Sequence, residues 1–325
     1  MSPPFATGSI SLRLYPPRLD DPTQVLDELT AQAALAVASG FTGVMLSERH
    51  GGAWGQIPNP LQIAGWLLGA MPHGWVAPCP LLLPFRRAAV VAEELAWLDA
   101  RFPGRVGAGF GSGGNATDFA AMNVPFDERA ARFDVELREV ARLLRPATPP
   151  HPLAGDRAIA RVHERGLPLL SAAMSATAVR RAAALDLGII GSSLLDDDAT
   201  RRLVDRYRDA GGTGPHVVIA RVWLGQPPWA LIDQQLGHYR EATEARGGSA
   251  PTDSPPPRGE GLLHGDDPHA LIEGLLEKIA HTRADALNLR VHVAGLDPRV
   301  AREQIAVVGA EVLPALRRGW ATAGQ

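Results

Sequence analysis

Short apolar runs alternate along the chain with longer stretches whose apolar residues recur at helical spacing. Residues 10–14, ISLRL, alternate apolar and polar side chains and run into Pro16 and Pro17, the pattern of a strand entering a loop. From Thr23, TQVLDELTAQAALAVASG predicts a helix, with a Thr cap position after Pro22 and a stop at Gly40. FTGVML then reads as a second strand, IPNPLQIAGWLLGAM as a helix, HGWVAPCP as a third strand, RRAAVVAEELAWLDARF as a helix and GRVGAGFG as a fourth strand. Beyond GSGGN, residues 126–144 form a long amphipathic pattern with Arg and Glu on its polar face. After a proline-rich interruption the alternation resumes, and GLPLLSAA, GIIGSS, PHVVIARVWLG and ADALNLRVHV supply the fifth to eighth strands, with helical segments between them and a last helix ending near Arg318.

Alternation of this kind implies parallel pairing with right-handed crossovers, in either an open doubly wound sheet or a closed eightfold barrel. A count of eight strands favours the barrel. The expected fold is therefore α/β, a (β/α)8 TIM barrel forming one domain over residues 1–325, with loop insertions at 147–165 and 247–264 on its C-terminal face. Chemistry in such barrels gathers at the C-terminal strand ends, where loops vary over a packed scaffold. Residues 247–261, GGSAPTDSPPPRGEG, read either as a disordered linker or as a lid over the barrel mouth.

Length and composition agree with this picture and narrow the partners. A chain of 325 residues suits one barrel, and 46% hydrophobic with 21% charged residues is ordinary for a soluble globular protein. A net charge of -3 gives no basic field for nucleic acid, so a small molecule is the expected ligand. No secretory pattern opens the sequence and no apolar run approaches the roughly 18 residues of a membrane span, so cytoplasmic residence without membrane contact is expected. Cys79 is the sole cysteine, which excludes an internal disulfide and a multi-cysteine metal site.

Four strand ends carry candidate chemistry. After the second strand, SERHGG places Glu48, Arg49 and His50 within three residues. They read as a solvated loop with a local salt bridge, or as a site where Glu48 and His50 act as acid, base or orienter. Arg49 stays protonated and cannot be a base. After the third strand, Pro78 and Pro80 flank Cys79, and an X-Pro bond is where a cis peptide costs little. Cys79 itself reads as a small buried hydrophobe. After the fourth strand, GAGFGSGGN resembles a phosphate loop only loosely, its glycines serving tight turns or close approach of a ligand. After the fifth, Ser175 and Thr177 stand at a helix N-terminus, as caps, as an anion site, or as both.

Taken together and in order, SERHGG followed by PNPLQIAGWLLGAM, then LLLPFRRAAVVAEELAWLDARFPGRVGAGFGSG, SAAMSATAVRRAAALDLG, HGDDPHALIEGLLEKI and EVLPALRR resemble the bacterial luciferase-like superfamily of flavin-dependent oxidoreductases over nearly the whole chain. The resemblance implies a TIM barrel that holds a flavin at its C-terminal mouth, taking reduced FMN from a separate flavin reductase and reacting it with oxygen. Ser175, the backbone of Met174, and Thr177 match the flavin-phosphate site. Arg129 matches a phosphate-pairing arginine, with Arg132 as the alternative. Cys79 and Pro80 fall where relatives place a cis peptide beneath the flavin ring, and Ser112 stands where some members have another phosphate-binding arginine. Arg49 replaces the first histidine of the Glu-His-His turn common in the superfamily, leaving His50 as the second.

The activity so implied is a two-component monooxygenase acting on a small organic substrate. A deazaflavin-dependent hydride-transfer enzyme and a flavin-binding protein without turnover are the alternatives. Arg49 can stabilise negative charge beside the flavin or anchor a substrate carboxylate or phosphate, and both readings stay open. Trp54 and Trp223, at strand ends, are candidate substrate-pocket residues. The resemblance also implies a homodimer through the helices around residues 61–71 and 88–98.

Overall fold

The computed structural model describes residues 2–52, 55–146, 151–244 and 261–323. In chain order the elements are β1 (Ile10–Arg13), α1 (Pro22–Ala38), β2 (Gly43–Leu46), α2 (Pro60–Ala70), β3 (Trp75–Pro78), β4 (Leu81–Leu82), α3 (Ala88–Arg101), β5 (Ala108–Gly111), α4 (Ala116–Ala121), α5 (Arg129–Leu143) and α6 (Arg157–Arg165). They continue as β6 (Leu169–Ala172), α7 (Ala176–Ala184), β7 (Gly188–Ile190), α8 (Asp197–Asp209), β8 (His216–Leu224), α9 (Trp229–Glu244), β9 (Leu262–Gly265), α10 (Pro268–Thr282), β10 (Ala286–Arg290), α11 (Pro298–Val307) and α12 (Leu313–Ala323).

Helix starts follow a repeated local rule. Asp21, Asn59, Asp267 and Asp297 each cap a helix that opens with proline, the side-chain oxygen accepting a backbone N–H of the first turn. Proline costs nothing there, because its missing N–H would have had no intrahelical acceptor. The cap of α1 is thus Asp21 rather than the expected Thr23, whose backbone N–H donates to Asp21 at 2.9 Å.

The strands pair in parallel in the order β3-β2-β1-β10-β8-β7-β6-β5-β4, with β9 added beside β8. The ring meets where Val76 N donates to Arg105 O at 3.0 Å and Gly107 N to Val76 O at 3.2 Å. β3 and β4 are one barrel stave interrupted at Cys79–Pro80, whose peptide bond is cis, and β9 lies outside the ring, so eight staves remain. The fold is α/β, the expected (β/α)8 barrel. Two expectations of loop are corrected. Residues 147–165 contain α6, packed on α3, and residues 247–264 end in β9. The remainder of the proposed lid, residues 247–260, lies outside the described residues.

Core residues sort by the strand period of two. Ile10, Leu12, Val44, Leu46, Val76, Leu287 and Leu289 face outward into the layer between barrel and helices. Met45, Trp75, Ala77, Cys79, Leu170, Ile190 and Val217 fill the barrel interior with Phe5, whose ring meets Trp75 edge-on at 5.3 Å. The glycines of GAGFG are explained by this interior packing. A Cβ on Gly109 would lie 2.1 Å from Cys79 Sγ, and one on Gly111 would lie 2.9 Å from the Pro80 ring. These positions are glycine because neighbouring side chains occupy the space that a side chain would need. Among the described residues no helix is long and apolar enough to cross a membrane.

Candidate active site

A cavity of about 1140 Å³ opens at the C-terminal ends of the strands. It is at the upper end of the range of small-molecule sites, roughly 300–1,000 Å³, and has room for a cofactor together with a second ligand. On one side it runs from Pro80 to Met174 and the β7 end, Gly191 to Ser193. On the other it is walled by Tyr15, Leu26, Leu29, Trp66 and Arg290. Among the described residues its lining holds four guanidinium groups, from Arg13, Arg18, Arg49 and Arg290, and one carboxylate, from Asp20.

The end of β2 divides between cavity and wall. Ser47 and Arg49 line the cavity, whereas Glu48 and His50 are buried behind it. The Glu48 carboxylate accepts from Leu82 N at 2.7 Å and from Arg86 Nη2 at 3.0 Å, and pairs with His50 Nε2 at 2.9 Å. Its backbone N–H donates to Pro80 O at 3.1 Å, so Glu48 fastens β2 to the stave broken at Pro80. The His50 ring lies edge-on to Phe85 at 5.4 Å, in a run that continues through Phe119 to Phe126. Arg49 Nε stands 3.3 Å from Asp118 Oδ2, while the other oxygen of that buried carboxylate accepts from His50 N at 3.1 Å. The Arg49 contact lacks hydrogen-bond alignment and is an ion pair only. Arg49, the residue most conspicuous in the sequence, therefore has its own counter-ion.

Cys79 is fully buried, and burial pushes its thiol up to about 11 against the lowering pull of Arg13. It is a neutral packing group, because the cost of charging a thiol away from water outweighs the pull of the neighbouring Arg13 guanidinium. Pro80 presents its ring to the cavity.

At the α7 end, Ser175 is the N-cap, its Oγ accepting from Ala178 N at 3.2 Å. Met174, just before it, lines the cavity and is 55% exposed, whereas the Ser175, Thr177 and Ser112 side chains stand outside the lining. Arg129 opens α5 and donates to Phe126 O at 3.0 Å with its guanidinium over the Phe126 ring at 4.1 Å. Arg132 is instead neutralised by Glu128 at 2.7 Å. One to two turns further along, Arg181 of α7 reaches Asp134 of α5 at 3.6 Å and lies over the Phe133 ring at 4.8 Å, so the two helices touch through this arginine. Of the two arginines considered, Arg129 is the one whose charge no carboxylate among the described residues answers.

Trp223 is buried, away from the main cavity, against Ile232 and Leu236. Trp54 lies outside the described residues.

The strands contribute cavity residues that the sequence reading passed over. Arg13 at the end of β1 is 3% exposed, and its guanidinium donates to Asn288 Oδ1 at 2.7 Å, to Cys79 O at 2.9 Å and to Ser47 Oγ. Arg290 at the end of β10 donates through Nε to His292 O at 3.2 Å and lies over the Tyr15 ring at 4.5 Å. A signal for both was present. Ser11-Leu12-Arg13 and Asn288-Leu289-Arg290 repeat the same polar-Leu-Arg pattern, and the register sets Ser11 beside Asn288 and Leu12 beside Leu289. In a barrel whose outward residues are all covered by helices, a polar beat within a strand has to face the interior. His292, just beyond, shares its Nε2 with Gln32 Oε1 at 2.6 Å, and burial lowers its pKa to about 3, with Arg290 adding to the shift.

A family profile described as luciferase-like monooxygenase matches residues 8–222 of the chain. No curated protein sequence matches it. Among solved structures, the monooxygenase RslO1 from Streptomyces bottropensis superposes with a TM-score of 0.76 at 19% identity, over 94% of this chain and 99% of that one. The oxygenating constituent of 3,6-diketocamphane monooxygenase from Pseudomonas putida, a type II Baeyer-Villiger monooxygenase in complex with FMN, gives 0.73 at 18% identity over 94% and 98%. An F420-dependent secondary alcohol dehydrogenase gives 0.70 at 16% identity over 96% and 99%. At these identities the likeness to solved structures is one of fold.

Proposed function

Since the chain belongs to the luciferase-like monooxygenase family, we propose that it is a two-component flavin monooxygenase, taking reduced FMN from a separate flavin reductase and using it with O2 on a small organic substrate. The observation that carries this reading is the cavity itself, which extends from the Pro80 ring to Met174 at the threshold of α7. That span suits a flat ring at one end and a phosphorylated side chain at the other.

Reduced FMN bound there would supply the two electrons that activate oxygen. The chain's own residues would do the rest. The N-terminus of α7 offers backbone N–H groups and the positive end of a helix dipole to the phosphate, with Ser175 and Thr177 beside them and Arg129 contributing charge from α5. Pro80 would support the ring from below, and the protonated Cys79 thiol behind it leaves that face without a competing nucleophile. Ile190 and Ile219 keep the neighbouring wall apolar, which excludes water and strengthens every electrostatic contact inside. Arg49 presents a positive group at the mouth while Asp118 holds its position. Glu48 and His50 act from behind as positioning residues, tying the β2 end to β4. Exposed Trp66 on α2, with Val90 and Trp97 on α3, supports a homodimer through that side of the barrel.

Fluorescence quenching with FMN and with coenzyme F420, measured side by side on the full chain, tests this. Saturable FMN binding that weakens in Arg129→Ala by about tenfold is expected, the worth of a charged hydrogen bond. Binding of F420 without FMN would replace the cofactor, and binding of neither would overturn the flavin reading.

A further inference from the structure

Two helices extend the cavity below the barrel mouth. Val25, Leu26 and Leu29 of α1 and Gln62, Ile63 and Trp66 of α2 line it at the same spacing, which puts each set on one helix face. The two faces therefore oppose each other across a cleft. It starts at the Asp21 and Asn59 caps and reaches down the first two turns, about 10 Å at 1.5 Å per residue. Leu29 and Ile63 are buried at its back, whereas Val25 and Leu26 are half-buried and Trp66 is 50% exposed. No charged side chain belongs to either set, and the cap oxygen of Asn59 is already taken by Gln62 N at 3.2 Å. Apolar walls left open to water gain by covering themselves with apolar surface from a ligand. The cleft also lies on the opposite side of the cavity from the stretch between Pro80 and Met174.

We propose that the α1–α2 cleft is a specificity-determining subsite, which takes the apolar body of an uncharged organic substrate and leaves the substrate's reacting end at the barrel mouth. The occupant follows from the lining. Hydrocarbon on both walls, with the Gln62 amide as the one polar group of the two sets, gives nothing to compensate a charge removed from water. Burial is then the driving force, and affinity rises with each methylene that enters the cleft, by about fourfold for one that is fully covered. The assignment rests on the reading that the opposite side, from Pro80 to Met174, takes the flavin. A flavin lying in the cleft instead would exclude the substrate from it, so the test measures both ligands together.

The full chain is titrated calorimetrically with 1-butanol, 1-hexanol and 1-octanol, with and without saturating FMN. Saturable binding is expected, tightening by about threefold or more per added methylene and unchanged by FMN. Leu26→Trp, which fills the cleft from the α1 side, is expected to abolish the dependence on chain length while changing the affinity for FMN by less than about threefold. Should the indole disturb folding, Leu26→Ser at the same half-buried position is expected to melt cooperatively and to weaken 1-octanol by about tenfold. No saturable binding, an affinity independent of chain length, or the same dependence retained in these variants would each overturn the subsite. Mutual exclusion of 1-octanol and FMN, or loss of FMN binding in a folded Leu26→Trp protein, would also overturn it, assigning the cleft to the cofactor. Length-dependent binding that Leu26→Trp abolishes, in a protein that takes no flavin, would instead sink the flavin reading and leave the subsite standing.

Discussion

Two polar regions at the barrel mouth behave oppositely. The end of β2 carries Glu48, Arg49 and His50 in succession, and nearly all of that polarity is consumed within the protein. Glu48 is saturated by Leu82 N, Arg86 and His50, and Arg49 is paired with Asp118. The β1–β10 wall carries one arginine at each strand end, two residues beyond Ser11 and Asn288, and there the guanidinium of Arg13 meets only neutral acceptors. A dense run of charge along a chain can satisfy itself locally and become structure. Isolated charge on a strand has fewer local partners and is left facing the cavity.

This contrast can be broken by substitution. The largest effect is expected at Glu48. Glu48→Ala would leave Arg86, His50 and Leu82 N without their shared acceptor, costing about 3–5 kcal/mol in urea unfolding as for one half of a buried pair. A loss below about 1 kcal/mol would mean that the β2 end is a solvated loop after all.

His292 gives the next effect, and it is one of pH. Its pKa is about 3 in the folded protein against 6.5 ordinarily. Between those values the unfolded chain holds a proton that the folded one lacks, so this residue's contribution to stability falls as pH drops from about 6.5 towards 3, by about 1.4 kcal/mol per pH unit. From pH 7 to pH 5 the wild type should lose about 2 kcal/mol more than His292→Gln, in which the amide can still donate to Gln32. Equal losses would show that His292 does not stay neutral on that wall.

The smallest effect belongs to Arg49. Arg49→Ala should cost only about 0.5–1 kcal/mol, the worth of a part-exposed ion pair without hydrogen-bond alignment. A loss as great as that at Glu48 would erase the distinction between the cavity-facing and wall-facing residues of the turn.

The barrel was legible in the sequence because each stave is an apolar run and each crossover an amphipathic helix, often announced by Asp-Pro or Asn-Pro. β4 was not legible, since two residues have no period to read. Nor was β9, which exists only because β8 extends nine residues and offers an edge beyond the ring. The cis bond at Cys79–Pro80 was expected from the X-Pro pair and is present. Within the site, Pro80, Met174 and Arg49 line the cavity, while Glu48, His50 and Trp223 do not, because direction from a strand end depends on partners distant in the chain. Leu82, Arg86 and Phe85 turn Glu48 and His50 inward, and none of them can be linked to that turn by spacing alone.

The sequence by itself determined the order of the eight parallel staves, the family and the strand ends where chemistry would gather, because these depend on periodicity, caps and local motifs. Tertiary structure decided which charges face the cavity. The β1–β10 register joins residues some 275 positions apart, setting Arg13 beside Asn288 and Arg290, and only that pairing reveals a buried cation whose described partners are all neutral. Whether a charge is neutralised or left for a ligand depends on its neighbours in space, and those are fixed only when the barrel closes.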